Sequence, residues 1–418
     1  MKFDKNMEKL ILGNLTQRKI GYGIVQPGNN IYSGVHVIKV YNIMAGLTKL
    51  SDLDLTATEI EEKYSRTRLK GGELIVSIVG TIGKTAIVPK EFAGCNIVRA
   101  IALIDIKEEF LSLWTKYYID SPKGQEYIKG NLNTTVQPTL NIKSLSNMPI
   151  PFYGTVYTKK AVNILSTIDN KIQLNKQINE NLEQQAQALF KSWFVDFEPF
   201  KDGKFVDSEL GRIPEGWRVG VFNELVEILS GFAFKSNTFV EKGKYQLITI
   251  KAVQDGLLNI SGSNYINIIP PKMPQYCFLR KGDILLSLTG NVGRTCIVTY
   301  DNLLLNQRVA KIKPKNIINR MFLYIILRQL DFKKRLIYLA KGTAQLNLSP
   351  IETGQIKIII PSEEYLKKYA DMMNSKFDMM LNNSIENIAL SELRDTLLPR
   401  LMSGELAITD VDDRSIFQ

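Results

Sequence analysis

Leu69 to Val88 reads LKGGELIVSIVGTIGKTAIV, and Leu279 to Val298 reads LRKGDILLSLTGNVGRTCIV, with eight identities in twenty at an offset of 210 residues. Each block places aliphatic runs on either side of a Gly-x-x-Gly step, the pattern of two short strands joined by a tight turn. The same offset aligns Ile38 to Leu47 (IKVYNIMAGL) with Ile248 to Leu257 (ITIKAVQDGL), and sets the aromatic-rich Leu111 to Tyr118 beside Met321 to Arg328. A small slip then matches Thr135-Val136-Gln137 with Thr343-Ala344-Gln345, and both copies run to strand-like endings, Met148 to Pro151 and Ile356 to Pro361. A period this long marks a duplicated domain and not a solenoid. Each copy reads as a compact α/β domain.

A different kind of segment follows each copy. Lys160 to Trp193 contains no Gly or Pro and sets Ala161, Leu165, Ile168, Ile172, Asn175, Asn179, Leu182, Ala186, Leu189 and Trp193 at alternating four- and three-residue steps, a heptad seam. The rise per residue predicts a helical rod of about 50 Å. Tyr365 to Met402 is less regular, with Met373, Phe377, Met380, Ile388, Leu393 and Leu397 as its apolar positions. Two such helices bury their seams most economically against each other. Asn175 and Asn179 suit a coiled coil, since a buried polar residue fixes register at some cost in stability.

The expected fold class is therefore α+β: two repeated α/β domains separated by two long helices that form an antiparallel coiled coil, with pseudo-twofold symmetry. The expected boundaries are a first globular domain over 1–154, a central helix over 155–200, a second globular domain with its entry linker over 201–361, and a C-terminal helix and tail over 362–418. Asp196 to Trp217, rich in charge, Pro and Gly, is the connection into the second domain.

The 418 residues are 44% apolar and 23% charged, close to globular averages. No apolar stretch approaches the roughly 20 residues of a membrane span, and no secretory leader is apparent, so a cytoplasmic location is expected. Cys95, Cys277 and Cys296 are odd in number, far apart and accompanied by a single imidazole, His36, which argues against disulfide scaffolds and Cys/His zinc sites. Net charge is +5 over residues 1–150, zero over 151–200, +11 over 201–360 and −5 over 361–418, against +11 for the chain. The excess sits in the two repeats. A basic surface concentrates polyanions, which makes nucleic acid the leading partner over the alternative of ordinary solubilising lysines.

Taken together, these features resemble the specificity subunit of type I restriction-modification enzymes. The local marks are Ala188 to Phe197 (ALFKSWFVDF), Ile213 to Trp217 (IPEGW), Ile228 to Lys235 (ILSGFAFK) and Leu397 to Glu405 (LLPRLMSGE), while Gly21 to Gly28 matches the second domain's opening only loosely. The resemblance implies two target-recognition domains, each reading one half of a split sequence in double-stranded DNA, and helices that set the distance between them. It also implies two modification subunits docked on the helices and separate restriction subunits in the full complex. S-adenosylmethionine, ATP and Mg2+ would belong to those partners, with no cofactor bound by this chain.

The chain's own residues do not offer a catalytic constellation. Gly80-Thr81-Ile82-Gly83-Lys84-Thr85 ends like a phosphate-binding loop, but Ile78 stands where the first glycine is required, and Leu288 stands there in the repeat. Pro270-Pro271 lies between Ile269 and Lys272, without the amide and aromatic ring that hold a flipped adenine. One histidine leaves little scope for Ser-His or Cys-His chemistry. The expected role is non-catalytic; a missed methyltransferase or nuclease, or a coiled-coil adaptor with protein-binding ends, are the competing classes.

For DNA reading, the candidates are cations and amides in loops, because Arg and Gln make paired contacts to guanine and adenine. In the first domain these are Lys84, Arg99, Asn133, Thr135, Gln137 and Lys143. In the second they are Arg294, Gln307, Arg308, Lys341, Thr343, Gln345 and Asn347. Each can equally serve as a structural hydrogen-bonding residue. Trp114, Tyr117 and Tyr118 follow helical spacing and are expected in the core. Since the loops differ while the scaffold repeats, the target is expected to be asymmetric, with half-site centres about 34 Å apart.

Overall fold

A computed structural model of the chain describes residues 7–47, 49–133, 137–342, 346–406 and 408. It comprises two compact units, Met1–Asn170 with Leu390–Gln418, and Lys171–Ala389. In the first unit the repeated block forms the antiparallel strands Leu74–Ser77 and Thr85–Ile87. They belong to a four-stranded sheet ordered Gly21–Tyr22, Ile101–Ile104, Leu74–Ser77, Thr85–Ile87. A second sheet is ordered Asp54–Thr56, Val35–Ile38, Asn96–Ile97, the last pair parallel. Alternation along Leu74–Ser77 sends Leu74 and Val76 into one core with Trp114 and Tyr117, and Ile75 into another with Val37 and Phe92. A strand covered on both faces has no polar side, which is why Leu74 to Val76 reads as a continuous apolar run.

The second unit repeats this plan. Its four-stranded sheet is ordered Val226–Ser230, Val309–Pro314, Ile284–Ser287, Thr295–Ile297, and its three-stranded sheet Tyr265–Ile266, Tyr245–Ile248, Leu303–Leu305, again with one parallel pair. The backbone ladder also corrects the alignment. Gly72 N–H donates to Val88 O and Gly282 N–H to Val298 O, keeping the offset of 210, but Leu69 N–H donates to Cys95 O and Leu279 N–H to Leu303 O. The two-residue slip thus falls between Val88 and Cys95, where the first unit inserts the short helical turn Lys90–Phe92. From there the offset is 208, so the helix Glu109–Asp120 is two residues out of the expected register with Arg320–Arg328: Ser121 N–H caps Tyr117 O as Gln329 N–H caps Ile325 O. Trp114, Tyr117 and Tyr118 are buried as expected, and the Trp114 indole N–H donates to Pro151 O at 2.6 Å.

The long helices span Thr155–Phe194 and Glu363–Met402, 40 residues each, or about 60 Å. The first starts five residues before the Lys160 to Trp193 seam and ends one residue beyond it. Within the first unit, the Tyr157 hydroxyl donates to Leu401 O at 3.0 Å and Arg394 pairs with Asp169 at 2.9 Å. Within the second, the buried Asn175 donates to Glu386 and Asn387, Asn179 bonds Met380 O, Asn383 and Ser384, and the Tyr369 hydroxyl donates to Ala186 O. Numbers rise along one helix as they fall along the other in each unit.

Each unit closes its core on these helices. In the second, Phe194 meets Phe322, Tyr369 and Trp217 at ring-centroid distances of 5.0, 5.2 and 5.7 Å. The ALFKSWFVDF and IPEGW marks are therefore core-forming segments: Phe190, Phe194, Ile213 and Trp217 are buried, and each side chain of this size contributes about 1.5–3 kcal/mol by leaving water. Among the described residues no helix is long and apolar enough to cross a membrane.

Candidate nucleic-acid interface

In both units the repeated turn is built by a serine. Gly80 and Gly83 have φ of +76° and +81°, Gly290 and Gly293 +72° and +83°, a left-handed backbone that side chains rarely adopt. The Ser77 hydroxyl donates to Thr81 O at 2.6 Å and accepts Lys84 N–H at 2.8 Å. Ser287 likewise donates to Asn291 O and accepts Arg294 N–H at 3.2 Å. The cation after the second glycine is thus held at the mouth of the turn by its own main chain.

The residue between strand and turn gathers the other candidate loops. Ile78 N–H donates to Ala100 O at 2.8 Å, and Ile78 O accepts Leu140 N–H at 2.9 Å; Leu288 does the same with Arg308 O at 2.9 Å and Leu348 N–H at 2.7 Å. Arg99 N–H donates to Ile24 O as Gln307 N–H donates to Phe232 O. Each unit therefore presents one tip made of a glycine turn, a link carrying Arg99-Ala100 or Gln307-Arg308, and a hairpin ending at Leu140 or Leu348.

Lys84, Arg99, Asn133, Gln137, Gln307 and Arg308 are exposed on these tips. Arg308 adopts φ +71°, a strained conformation for a residue with a Cβ. Arg294 is half-buried and its guanidinium donates to Gln254 Oε1 at 2.7 Å. Lys341 is paired with Glu352, and the Asn347 amide oxygen accepts the buried Thr289 hydroxyl at 2.9 Å. Lys143 stands on the next helix, Ile142–Ser146, whose N-cap is Asn141. Thr135, Thr343 and Gln345 lie outside the described residues.

The tips include residues that the sequence reading left unassigned. Val98 N–H donates to Ile38 O and Asn306 N–H to Ile248 O, so the segments after Val35–Ile38 and Tyr245–Ile248 join them. These carry the exposed Tyr41 and Met44 in one unit, and the exposed Lys251 and Leu257 with the half-buried Gln254 in the other. Their signal was present in the aligned IKVYNIMAGL and ITIKAVQDGL blocks, where exposed apolar residues follow a buried strand.

Behind the second tip lies a network of charge. Asp255 pairs with Arg328 at 2.6 Å and Lys333 at 2.8 Å, and Arg328 donates to Glu183 of the long helix at 2.7 Å. Burial alone would raise the Asp255 carboxyl, but Lys333 and Arg328 outweigh it and hold it below the usual value. In the first unit Tyr117 donates to Asp169 at 2.9 Å, and burial together with that carboxylate pushes the phenol up. Each unit is thus tied to the first long helix through a half-buried carboxylate, Asp169 in one and Glu183 in the other.

Comparison with known proteins gives one consistent result. The type I restriction modification DNA specificity domain matches residues 17–184 and 214–390. The type I restriction enzyme MjaIX specificity subunit of Methanocaldococcus jannaschii is 30% identical over 315 residues, 73% of this chain and 71% of that protein. The HindI specificity subunit of Haemophilus influenzae is 28% identical over 328 residues, 64% of this chain and 71% of its own length. The crystal structure of a type I restriction-modification S subunit from M. genitalium is similar in fold, with a TM-score of 0.54 at 16% identity over 98% of each chain.

Proposed function

The chain belongs to the type I restriction-modification DNA specificity family, and from that membership we propose how its parts divide the task of reading DNA. Each tip reads one half of an asymmetric, split duplex target. Lys84, Arg99, Asn133 and Gln137 serve the first half-site, and Gln307 and Arg308 the second, with Thr135, Thr343 and Gln345 as further contacts. Lys143 and Lys341 hold phosphate, whereas Arg294 and Asn347 shape the second tip. Phosphate contacts fix position and base-edge contacts carry the sequence.

The long helices act as an antiparallel coiled coil with pseudo-twofold symmetry, setting the span between half-sites and docking two modification subunits, with restriction subunits joining the full complex. This chain is non-catalytic in that arrangement. S-adenosylmethionine, ATP and Mg2+ belong to the partner subunits, and this chain binds no cofactor. The observation that carries the proposal is the repeated three-loop tip, alike in main chain and different in side chains between units.

The test is exchange of residues 212–360 for the corresponding segment of a family member, followed by methylome sequencing of cells that also carry the modification subunit. One half-site changes and the other persists. Alteration of both half-sites refutes the division of labour.

A further inference from the structure

The second unit carries a basic groove at the end of its sheet remote from the tip. It encloses about 870 Å³ and is lined by Arg280, Lys311, Lys313, Lys315 and Arg320 against two carboxylates, Glu227 and Asp283. Lys311 pairs with Asp283 at 2.7 Å and Lys313 with Glu227 at 3.0 Å, both across the sheet, and Arg320 pairs with Asp378. Arg280 and Lys315 are exposed and make no ion pair among the described residues. Glu224, a charged neighbour of Lys315, is itself paired with Arg218 at 2.7 Å.

The first unit shows what the same place looks like when closed. Val88 N–H donates to Glu73 O as Val298 N–H donates to Asp283 O, and Ile104 faces Leu74 as Ile312 faces Ile284. Glu73 therefore corresponds to Asp283, and Asp105 to Lys313. There Arg18 bonds Asp105, Glu73 at 2.6 Å and Arg68 O at 2.9 Å, filling the site from within. The duplication has kept the strands, reversed a charge and left the second copy open.

Position decides the ligand. The strand Val309–Pro314 leads from Arg308 at the tip to Lys313 at the groove, roughly 17 Å at about 3.3 Å per residue. A loop reading base edges enters a major groove about 8.5 Å deep, so the phosphates beside the read bases do not extend back as far as Lys313. DNA reaches the groove only where it bends toward the protein. Building on the DNA-reading proposal above, we propose that this groove is a second phosphate-binding surface, taking the backbone of the duplex flanking the second half-site as it bends around the domain. The first unit, closed by Arg18, takes no such flank.

The test uses the full chain and its mapped target in three duplexes: long flanks on both sides, the flank trimmed beyond the second half-site, and the flank trimmed beyond the first. The double variant Arg280→Gln/Lys315→Gln is compared with Lys334→Gln/Lys367→Gln, which removes the same charge elsewhere. Each lost phosphate contact lowers the slope of log K against log salt by about 0.9. The groove variant should lose roughly 2 from the slope on the long duplex and on the one trimmed beyond the first half-site, and nothing on the duplex trimmed beyond the second. Fluorescence energy transfer between flank ends should fall with it. An unchanged slope on the long duplex overturns the proposal. So does an equal drop on the duplex trimmed beyond the second half-site or with the control variant, and so does loss of modification-subunit binding at constant slope, which marks an acidic protein surface as the ligand. A parent chain that binds no duplex overturns the underlying DNA reading as well, and is seen before any variant is compared.

Discussion

Replacing Arg328 by Met removes the guanidinium that joins Glu183 of the long helix to Asp255 near the second tip. Arg328 and Glu183 are only 17% and 15% exposed and lie 2.7 Å apart, so the change strands a largely buried carboxylate. Breaking such a pair costs about 3–5 kcal/mol. The lower end is expected, because Glu183 also accepts the Gln187 amide at 3.0 Å and sits 3.5 Å from the Tyr324 hydroxyl. For a unit of 150–250 residues, about 3 kcal/mol lowers Tm by roughly 6–12 °C. The assay is urea unfolding followed by tryptophan fluorescence, since Trp193 and Trp217 report the second unit and only Trp114 the first. A double-mutant cycle with Glu183→Met isolates the pair: the double variant should recover at least about 1.5 kcal/mol of the summed losses. Strict additivity would show that the two charges are independent and refute the clamp.

Arg308→Gly relieves a left-handed residue and is expected to raise stability by about 1 kcal/mol while weakening DNA binding; loss of stability would contradict the strain argument. Asp255 is held below its usual value, so its contribution is fully present above about pH 4 and is lost as pH falls through the lower folded value. The denaturation midpoints of wild type and Asp255→Asn should therefore differ steadily from pH 5 to 7 and draw together as pH falls below about 4, and a gap that does not narrow there would exclude the mechanism. Inserting one heptad into each long helix at paired positions adds about 10.5 Å and is expected to lengthen the unspecified spacer by about three base pairs. Methylation mapping that found altered half-site bases would refute the helical ruler.

Much of this architecture was legible because it rests on local patterns. The Gly-x-x-Gly blocks specify paired strands, and the heptad seam places Ala161, Leu165, Ile168, Ile172, Asn175 and Ala186 in buried positions along the first helix. The aromatic stretch was placed two residues out of register because the insertion at Lys90–Phe92 lies in a loop, where no periodicity constrains the alignment. Side-chain roles at the tips were less legible for a physical reason. Arg294 is engaged by Gln254, 40 residues away, and Glu183 by Arg328, 145 residues away; such pairs are set by tertiary structure and leave no spacing signal. The left-handed Arg308 was equally hidden, since its conformation follows from the strand link it occupies.

The interleaved make-up of the first unit bears on synthesis. Its core includes Tyr157, Ala161 and Leu165 together with Leu398, Leu401 and Met402, so the apolar face prepared by residue 170 stays uncovered while residues 171–389 are translated. At 5–20 residues per second that interval is roughly 10–45 s. A nascent chain in this state exposes a ready-made sticky helix, and its vulnerability to chaperone capture and proteolysis should end only when the late-arriving leucines dock.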